Sequence, residues 1–172
     1  CSTNGLVLGQ QKVDDKSNEI TAIPALLELL VIKGCVVTID AIGCQQEIAA
    51  AIVDGKGDYI LAVKDNQKFL YDDIREAFSN EKSIETYRSK TELSHGRIET
   101  RIVSVIINTD WVCNIDNWKG LQCLLKVESI RLEKRTGDKQ TATRYYISSK
   151  KETGEYFNGA IRSHWLVENH LH

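Results

Sequence analysis

Two carboxylate residues that lie far apart in this sequence could together hold a divalent metal ion. Asp40 ends the apolar segment 35–40, which is typical of a buried strand, and Glu168 lies near the end of the 172-residue chain. Carboxylate oxygens are the ligands that Mg²⁺ or Mn²⁺ prefers, and these metals support phosphoryl chemistry. If the fold brings the two residues together, they predict a metal site. The alternative for Asp40 is a structural one, in which its side chain caps the following turn.

A second metal site is conceivable on the predicted last helix. His164, Glu168 and His172 are spaced four residues apart, so they share one helix face and could bind zinc. The segment lacks the His-Glu-x-x-His order of zinc proteases. The alternative is a polar face in contact with solvent, with Trp165 packed in the core, as we also expect for Trp118.

Basic residues are unevenly placed in a chain whose formal net charge is −2. Residues 131–151 are strongly basic, whereas residues 1–82 are acidic. Lys64 follows the predicted strand 58–63, and Arg97 and Arg101 share one face of a later strand by the period of two. Each group could bind phosphate. Each could equally be a solvent-exposed side chain or part of a surface ion pair.

Apolar periodicity predicts alternating strands and helices up to residue 79, and mainly strands afterwards. The predicted strands of the first part are 5–13, 35–40 and 58–63. The predicted helices are 21–34, 45–54 and 66–79, the last with Phe69, Ile74 and Phe78 facing inward. Later strands are predicted at 97–108, 121–132 and 141–148, with a turn at 135–138 and a final helix from about residue 153.

This order of elements predicts the α/β fold class. Residues 1–79 and 150–172 would form a core, and residues 80–149 a β-rich insertion before the last helix. We expect the strands of the insertion to lie outside the parallel sheet.

Composition limits the cellular setting. The five cysteines contain no Cys-x-x-Cys pair, which favours reduced thiols and a cytoplasmic location. No apolar run approaches the roughly 20 residues of a membrane helix, so we expect no membrane partner. The chain begins with Cys1 rather than Met, which favours a processed or partial chain. A lipid-anchored envelope protein that starts at Cys1 is a further alternative.

The chain resembles the H-repeat-associated transposases of bacterial insertion sequences, a branch of the DDE transposases. The resemblance runs in order along nearly the whole chain. The segments that carry it are Gly5–Gln10, Lys16–Ile20, Pro24 with Leu26 and Leu27, Thr38–Ala41 with Gln45, Asp58 and Tyr59, Lys64 with Asn66 and Gln67, His95–Arg97 with Glu99 and Arg101, Trp118, and Arg162 through His172.

The resemblance implies a ribonuclease-H-like fold, a site for two Mg²⁺ or Mn²⁺ ions, and cleavage and rejoining of DNA. Asp40 matches the family's second catalytic aspartate and Glu168 its glutamate. The first aspartate, in an Asp-Gly-Lys motif, is expected before residue 1, together with its strand, so the core in this chain would be partial and we expect this piece to be inactive alone. DNA is the implied partner, and a homodimer in a synaptic complex is one arrangement that this function allows. The predicted DNA-binding residues are Lys64, Asn66, His95, Arg97, Arg101 and His164, in the matching segments, and Lys134, Arg135 and Lys139, in the basic segment 131–151.

A second hypothesis is kept beside the catalytic one. The chain could be a catalytically inactive DNA-binding or assembly remnant of a decayed insertion element. An upstream Asp-Gly-Lys strand would favour the catalytic hypothesis, and its absence would favour the inactive one.

Overall fold

The computed structural model describes residues 19–80, 84–94, 97–107, 109–110 and 112–170, without the side chains of residues 19, 94, 97 and 165–170. The predicted strand 5–13 lies outside the described residues. The helices are α1 (Glu19–Leu29), α2 (Gln46–Asp54), α3 (Lys68–Asn80) and α4 (Gly154–His170). The strands are β1 (Val36–Ile39), β2 (Asp58–Val63), β3 (Glu85–Arg88), β4 (Glu92–Ser94), β5 (Arg97–Ile106), β6 (Cys123–Glu133) and β7 (Lys139–Ser148). Short 3-10 turns occupy Ala41–Gly43, Asp65–Gln67 and Ile115–Asn117.

All seven described strands belong to one sheet, in the order β1-β2-β7-β6-β5-β3, with β4 also paired to β5. β1 and β2 are parallel, and every other pair is antiparallel. The prediction that the later strands lie outside the parallel sheet is therefore wrong. β7 pairs directly with β2, with Val63 opposite Tyr145, so the antiparallel strands extend the sheet that β1 and β2 begin. This mixed α/β architecture agrees with the predicted fold class.

Part of the antiparallel region projects past the end of β2. Only the second half of β7, from Tyr145 to Ser148, pairs with β2. The first half of β7 and the facing parts of β5 and β6 continue beyond the carboxyl end of β2. We call residues 97–103, 127–133 and 139–144 the projecting ribbon. Its end is the predicted hairpin turn, where Gly137 has φ +77° and its N–H donates to the carbonyl of Glu133 at 2.8 Å.

The two faces of the sheet are covered by different helices. Because side chains alternate along a strand, Leu61, Leu124 and Ile147 reach one face. There they pack with buried residues of α1, α2 and α3, and we call this the three-helix face. Their chain neighbours reach the other side, which we call the α4 face, where Leu125 packs with Phe157 of α4. A core therefore lies on each side of the sheet.

The buried stripe of α3 differs from the prediction in one residue. Leu70, Ile74 and Ala77 are buried at the spacing of one helix face. Phe69 was predicted inward, but it is 83 % exposed. α3 begins only at Lys68, and the stripe that starts at Leu70 fixes its rotation, so Phe69 is turned by about 100° from the core. Trp118 is buried, as predicted.

α4 begins in close contact with the far edge of the sheet. The N–H of Gly154 donates to the Glu85 side chain at 3.0 Å. A Cβ atom at position 154 would lie 2.7 Å from the Cβ of Tyr87, so only glycine fits here without a shift of the backbone. Within the described part of the chain, no helix is long and apolar enough to cross a membrane.

Candidate active site

Asp40 lies at the carboxyl end of β1, where the sheet meets solvent. Its Oδ1 accepts a hydrogen bond from the N–H of Ala41 at 2.6 Å and caps the 3-10 turn that follows. The capping role considered from sequence is therefore real. This hydrogen bond uses one of the roughly four acceptor positions of the carboxylate. The side chain is 52 % exposed, so the other positions are accessible to a ligand.

Lys64 lies beside Asp40 because β1 and β2 are parallel, and their carboxyl ends therefore meet at one edge. The Lys64 Nζ is 3.7 Å from the Asp40 Oδ1. Both side chains are more than half exposed, so this ion pair adds little to stability. The pairing instead places one anion and one cation at the same edge of the sheet.

Two amide side chains hold the loops around Asp40 together. The Asn66 Nδ2 donates to the carbonyl of Ala41 at 2.7 Å, and the Gln67 Nε2 donates to the carbonyl of Cys44 at 2.9 Å. These bonds join the loop after β2 to the loop after β1. The described contact of Asn66 is thus structural, and its DNA contact stays a prediction.

α4 brings His164 to the same edge. Its Nδ1 lies 3.1 Å from the Thr38 Oγ1, and the two residues line a small pocket together with Asp40. Glu168 follows His164 by four residues in α4, and its side chain lies outside the described part of the structure. The predicted meeting of Asp40 and Glu168 therefore stays a prediction.

The donor atoms described at this edge fit part of a magnesium site. In the described ranges, no three His, Cys, Asp or Glu side chains are grouped so that they could hold a metal ion. The Asp40 carboxylate is an oxygen donor at a solvent-accessible position. Mg²⁺ is commonly bound by one or two carboxylates together with substrate phosphates. Asp40 suits one of those carboxylate positions, and a full site needs further ligands.

Three other predicted DNA-binding residues lie at the far end of the projecting ribbon. Lys134, Arg135 and Lys139 are exposed at its end. Tyr146 of β7 lines the pocket that contains Asp40. Lys139 lies roughly 23 Å along β7 from Tyr146, at about 3.3 Å per residue. His95 lies outside the described residues, as does the side chain of Arg97. The roles of these residues and of Lys134, Arg135 and Lys139 in DNA binding stay predictions.

Arg101 belongs to a group of polar residues that we did not predict as a site. They line a cleft of about 240 Å³ on the α4 face, between the projecting ribbon and α4. We call it the arginine cleft, and its polar lining residues are Arg101, Ser129, Arg131, Arg144, Tyr146 and Asn158. The sequence shows a basic segment at 131–151, but the grouping depends on strand register, which sequence alone does not supply.

Comparison with known proteins identifies the family of this chain. The family described as "Transposase DDE domain" matches residues 1–172. The chain belongs to the DDE-domain transposase family. No solved structure matches it.

The curated relatives agree with this assignment. The chain is 48 % identical to "Putative transposase YncI" of Escherichia coli O157:H7, over 98 % of this chain and 45 % of that protein. It is 44 % identical to "H repeat-associated putative transposase YhhI" of Escherichia coli (strain K12), over 98 % of this chain and 46 % of that protein. The predicted resemblance to H-repeat-associated transposases is thereby confirmed. The chain spans about half the length of these relatives.

Proposed function

We propose that this chain is part of the catalytic region of a transposase that cleaves and rejoins DNA at a divalent-metal site. The observation that carries the proposal is the position of Asp40. It supplies an accessible carboxylate at the carboxyl end of a parallel strand, which is where ligands bind in open α/β sheets. Lys64 and His164 at the same edge add groups that can contact phosphate.

In this proposal Asp40 and Glu168 are metal ligands. Support for Glu168 comes from helical period. Phe157 and Ile161 of α4 are buried, and His164 lines the pocket beside Asp40. Position 168 continues this spacing of three or four residues, which is the spacing of one helix face. The family's first aspartate is not assigned to a residue of this chain.

The residues at this edge would have separate tasks. Bound Mg²⁺ or Mn²⁺ would supply the charge that activates an attacking oxygen and stabilises a leaving one. Asp40 would give up its weak pair with Lys64 to become a ligand. Lys64 would then be released to hold a DNA phosphate oxygen. The hydrogen bond between Thr38 and His164 would fix α4 against β1 while the strands of DNA are exchanged.

The proposal extends to the fold. We assign β1, β2 and the helices that flank them to a ribonuclease-H-like core completed by α4. Residues 80–149 would be the β-rich insertion, with residues 1–79 and 150–172 as the core. Since β7 pairs with β2, this insertion would share the sheet of the core.

The test is metal-dependent cleavage of DNA carrying the ends of the cognate insertion element, using the protein as its gene encodes it. We expect Asp40→Asn and Glu168→Gln each to lower the cleavage rate by about a thousandfold or more, because each removes a metal-binding charge and nearly preserves shape. Glu47→Gln, at an exposed position of α2, is the matched control and should cleave normally. Circular dichroism verifies folding of all variants.

Two results would contradict the proposal in different ways. Near-normal cleavage by a folded Asp40→Asn or Glu168→Gln variant would remove that residue from the catalytic set. DNA binding without cleavage by the unmutated protein, with Mg²⁺ and with Mn²⁺, would favour the inactive DNA-binding or assembly remnant.

A further inference from the structure

We propose that the arginine cleft binds the phosphodiester backbone of one DNA strand and guides it toward Asp40. This inference rests on the proposed function, but it concerns a different set of residues. It adds Arg131 and Arg144 to the DNA-binding surface and gives Arg101 a defined place in it. Neighbouring strands and α4 build the cleft, so its residues are held by the fold.

Strand register brings the three arginines to one face. Arg101 of β5 is opposite Ser129 of β6, and Val127 of β6 is opposite Arg144 of β7. Residues 127, 129 and 131 of β6 are two apart in sequence and therefore lie on one face of the sheet. Arg131 is thus on the same face as Arg101 and Arg144. Strands are about 4.8 Å apart, so the arginines extend over roughly 10 Å across β5, β6 and β7.

That width suits a polymer better than a single anion. One DNA strand carries a phosphate about every 3.4 Å of helix axis, and successive phosphates are farther apart than this rise, so a row of roughly 10 Å can meet about two of them. Planar guanidinium groups can donate two parallel hydrogen bonds to each phosphate. A free phosphate ion could reach only part of this row of donors.

An acidic residue orients two of the arginines without using all their donors. The Glu99 carboxylate accepts from Arg101 at 2.8 Å and from the Arg131 Nε at 3.3 Å. Two guanidinium groups have ten N–H donors, and one carboxylate offers about four acceptor positions. Donors are left for a ligand, and the group of Arg101, Arg131 and Glu99 keeps a net positive charge. Arg144 adds another positive charge at an exposed position.

The inner side of the cleft has an unsatisfied polar atom and leads toward Asp40. In the described part of the chain, the buried Oδ1 of Asn158 has no hydrogen-bond partner. A bound water in the cleft could donate a hydrogen bond to this oxygen, which would otherwise be costly to bury. Tyr146 and Ile161 line both the cleft and the pocket that contains Asp40. The cleft and that pocket are therefore adjacent, so a strand held by the arginines would lie near the proposed metal ligand.

The test compares the salt dependence of DNA binding for two double variants of the protein as its gene encodes it. Arg131→Gln with Arg144→Gln removes two charges from the cleft. Lys33→Gln with Lys68→Gln removes two charges from exposed positions beside α1 and at the start of α3. Fluorescence anisotropy with a labelled DNA duplex and a labelled single strand measures the affinity between 50 and about 300 mM salt.

We expect the cleft variant to bind DNA at least tenfold more weakly than the unmutated chain. The slope of log affinity against log salt should fall by about two, one for each lost phosphate contact. The control should lose less than about threefold, through its change in net charge alone. DNA should also protect Arg131 and Arg144 of the unmutated chain from modification by phenylglyoxal, as read by mass spectrometry.

The outcomes separate the cleft from the proposed function. If the unmutated chain binds DNA and the cleft variant loses no more affinity or slope than the control, the cleft inference fails and the transposase proposal stands. If millimolar inorganic phosphate protects the arginines and DNA does not, the site binds a small anion and the inference again fails. Cleavage tests of Asp40 and Glu168 decide the proposed function independently.

Discussion

The two faces of the sheet use the same strands for different purposes. On the three-helix face, apolar side chains continue from β2 through β7 and β6 to β5, and three helices cover them. On the α4 face, one helix covers an apolar area around Phe157. Farther along the same strands, arginines and polar residues replace the apolar ones. A face that needs one helix for stability can leave the rest of its surface to a ligand.

The two faces differ in the arginine cleft, which only the α4 face has among the described residues. They do not differ in how well each core excludes solvent. Cys44 belongs to the core of the three-helix face and Cys123 to that of the α4 face, and both are fully buried. Burial raises the pKa of the Cys44 thiol to about 12 and that of the Cys123 thiol to about 11.

Thiol labelling should show that both cores exclude solvent. We expect Cys44 to react about a thousandfold more slowly than the exposed Cys35 and Cys113, and Cys123 at least about a hundredfold more slowly, because the thiolate is the reactive form. Reaction with a disulfide reagent at pH 8, followed by mass spectrometry, measures this. Rapid labelling of Cys123 alone would show that α4 opens.

The raised pKa values also predict a pH dependence. The unfolded chain releases these thiol protons near the ordinary pKa of 9.0, whereas the folded chain retains them. Stability from Cys44 is therefore fully present below about pH 9 and is lost as the pH rises toward 12. Cys44→Ala should flatten the decline of the unfolding free energy in that range, measured by urea unfolding. An unchanged decline would contradict the assignment to this thiol.

On the α4 face, Phe157→Ala should lower the free energy of unfolding by about 3–5 kcal/mol, because Phe157 is fully buried between α4 and the sheet. Phe157→Leu is the control and should cost less. Urea unfolding measures both. A loss below about 1 kcal/mol for Phe157→Ala would mean that α4 is held mainly by its polar contacts.

On the three-helix face, Ile147→Ala should cost about 2–5 kcal/mol of unfolding free energy, because Ile147 is also fully buried. DNA affinity of the folded variant should be unchanged, since Ile147 faces away from the arginine cleft. Anisotropy and urea unfolding test the two parts separately. A tenfold loss of DNA affinity in folded protein would show that the faces are coupled.

The smallest effect concerns a polar atom inside the three-helix core. The Tyr59 hydroxyl is buried, and in the described structure it has no hydrogen-bond partner. Tyr59→Phe should therefore leave stability unchanged or raise it by about 1 kcal/mol, because an unpaired buried polar group is costly. A loss above 1 kcal/mol would indicate a partner for this hydroxyl.

Sequence patterns predicted the local elements better than their pairing. The apolar runs 35–40 and 58–63 correctly indicated β1 and β2, and Gly137 marked the hairpin. The pairing of β2 with β7 could not be read, because it joins segments separated by more than eighty residues and depends on register.

The same limit applied to the candidate sites. The place of Asp40 at a strand end could be predicted, because one strand and one turn determine it. The arginine cleft could not, because Arg101, Arg131 and Arg144 are on three strands and become neighbours only through their register. Phe69 shows a smaller limit, because it lies five residues before Ile74, about 140° around the helix, and Leu70 takes the inward position instead.

Gly154 fixes the start of α4 by a tight packing contact. The contact is with Tyr87, where even one methyl group would not fit. His164 lies ten residues farther along α4, which is about 15 Å from Gly154 at 1.5 Å per residue. A small tilt of α4 about Gly154 would cause a larger displacement of His164, at the end beside Asp40. The alignment of the candidate active site should therefore be sensitive to the fit at the opposite edge of the sheet, at a residue with no side chain.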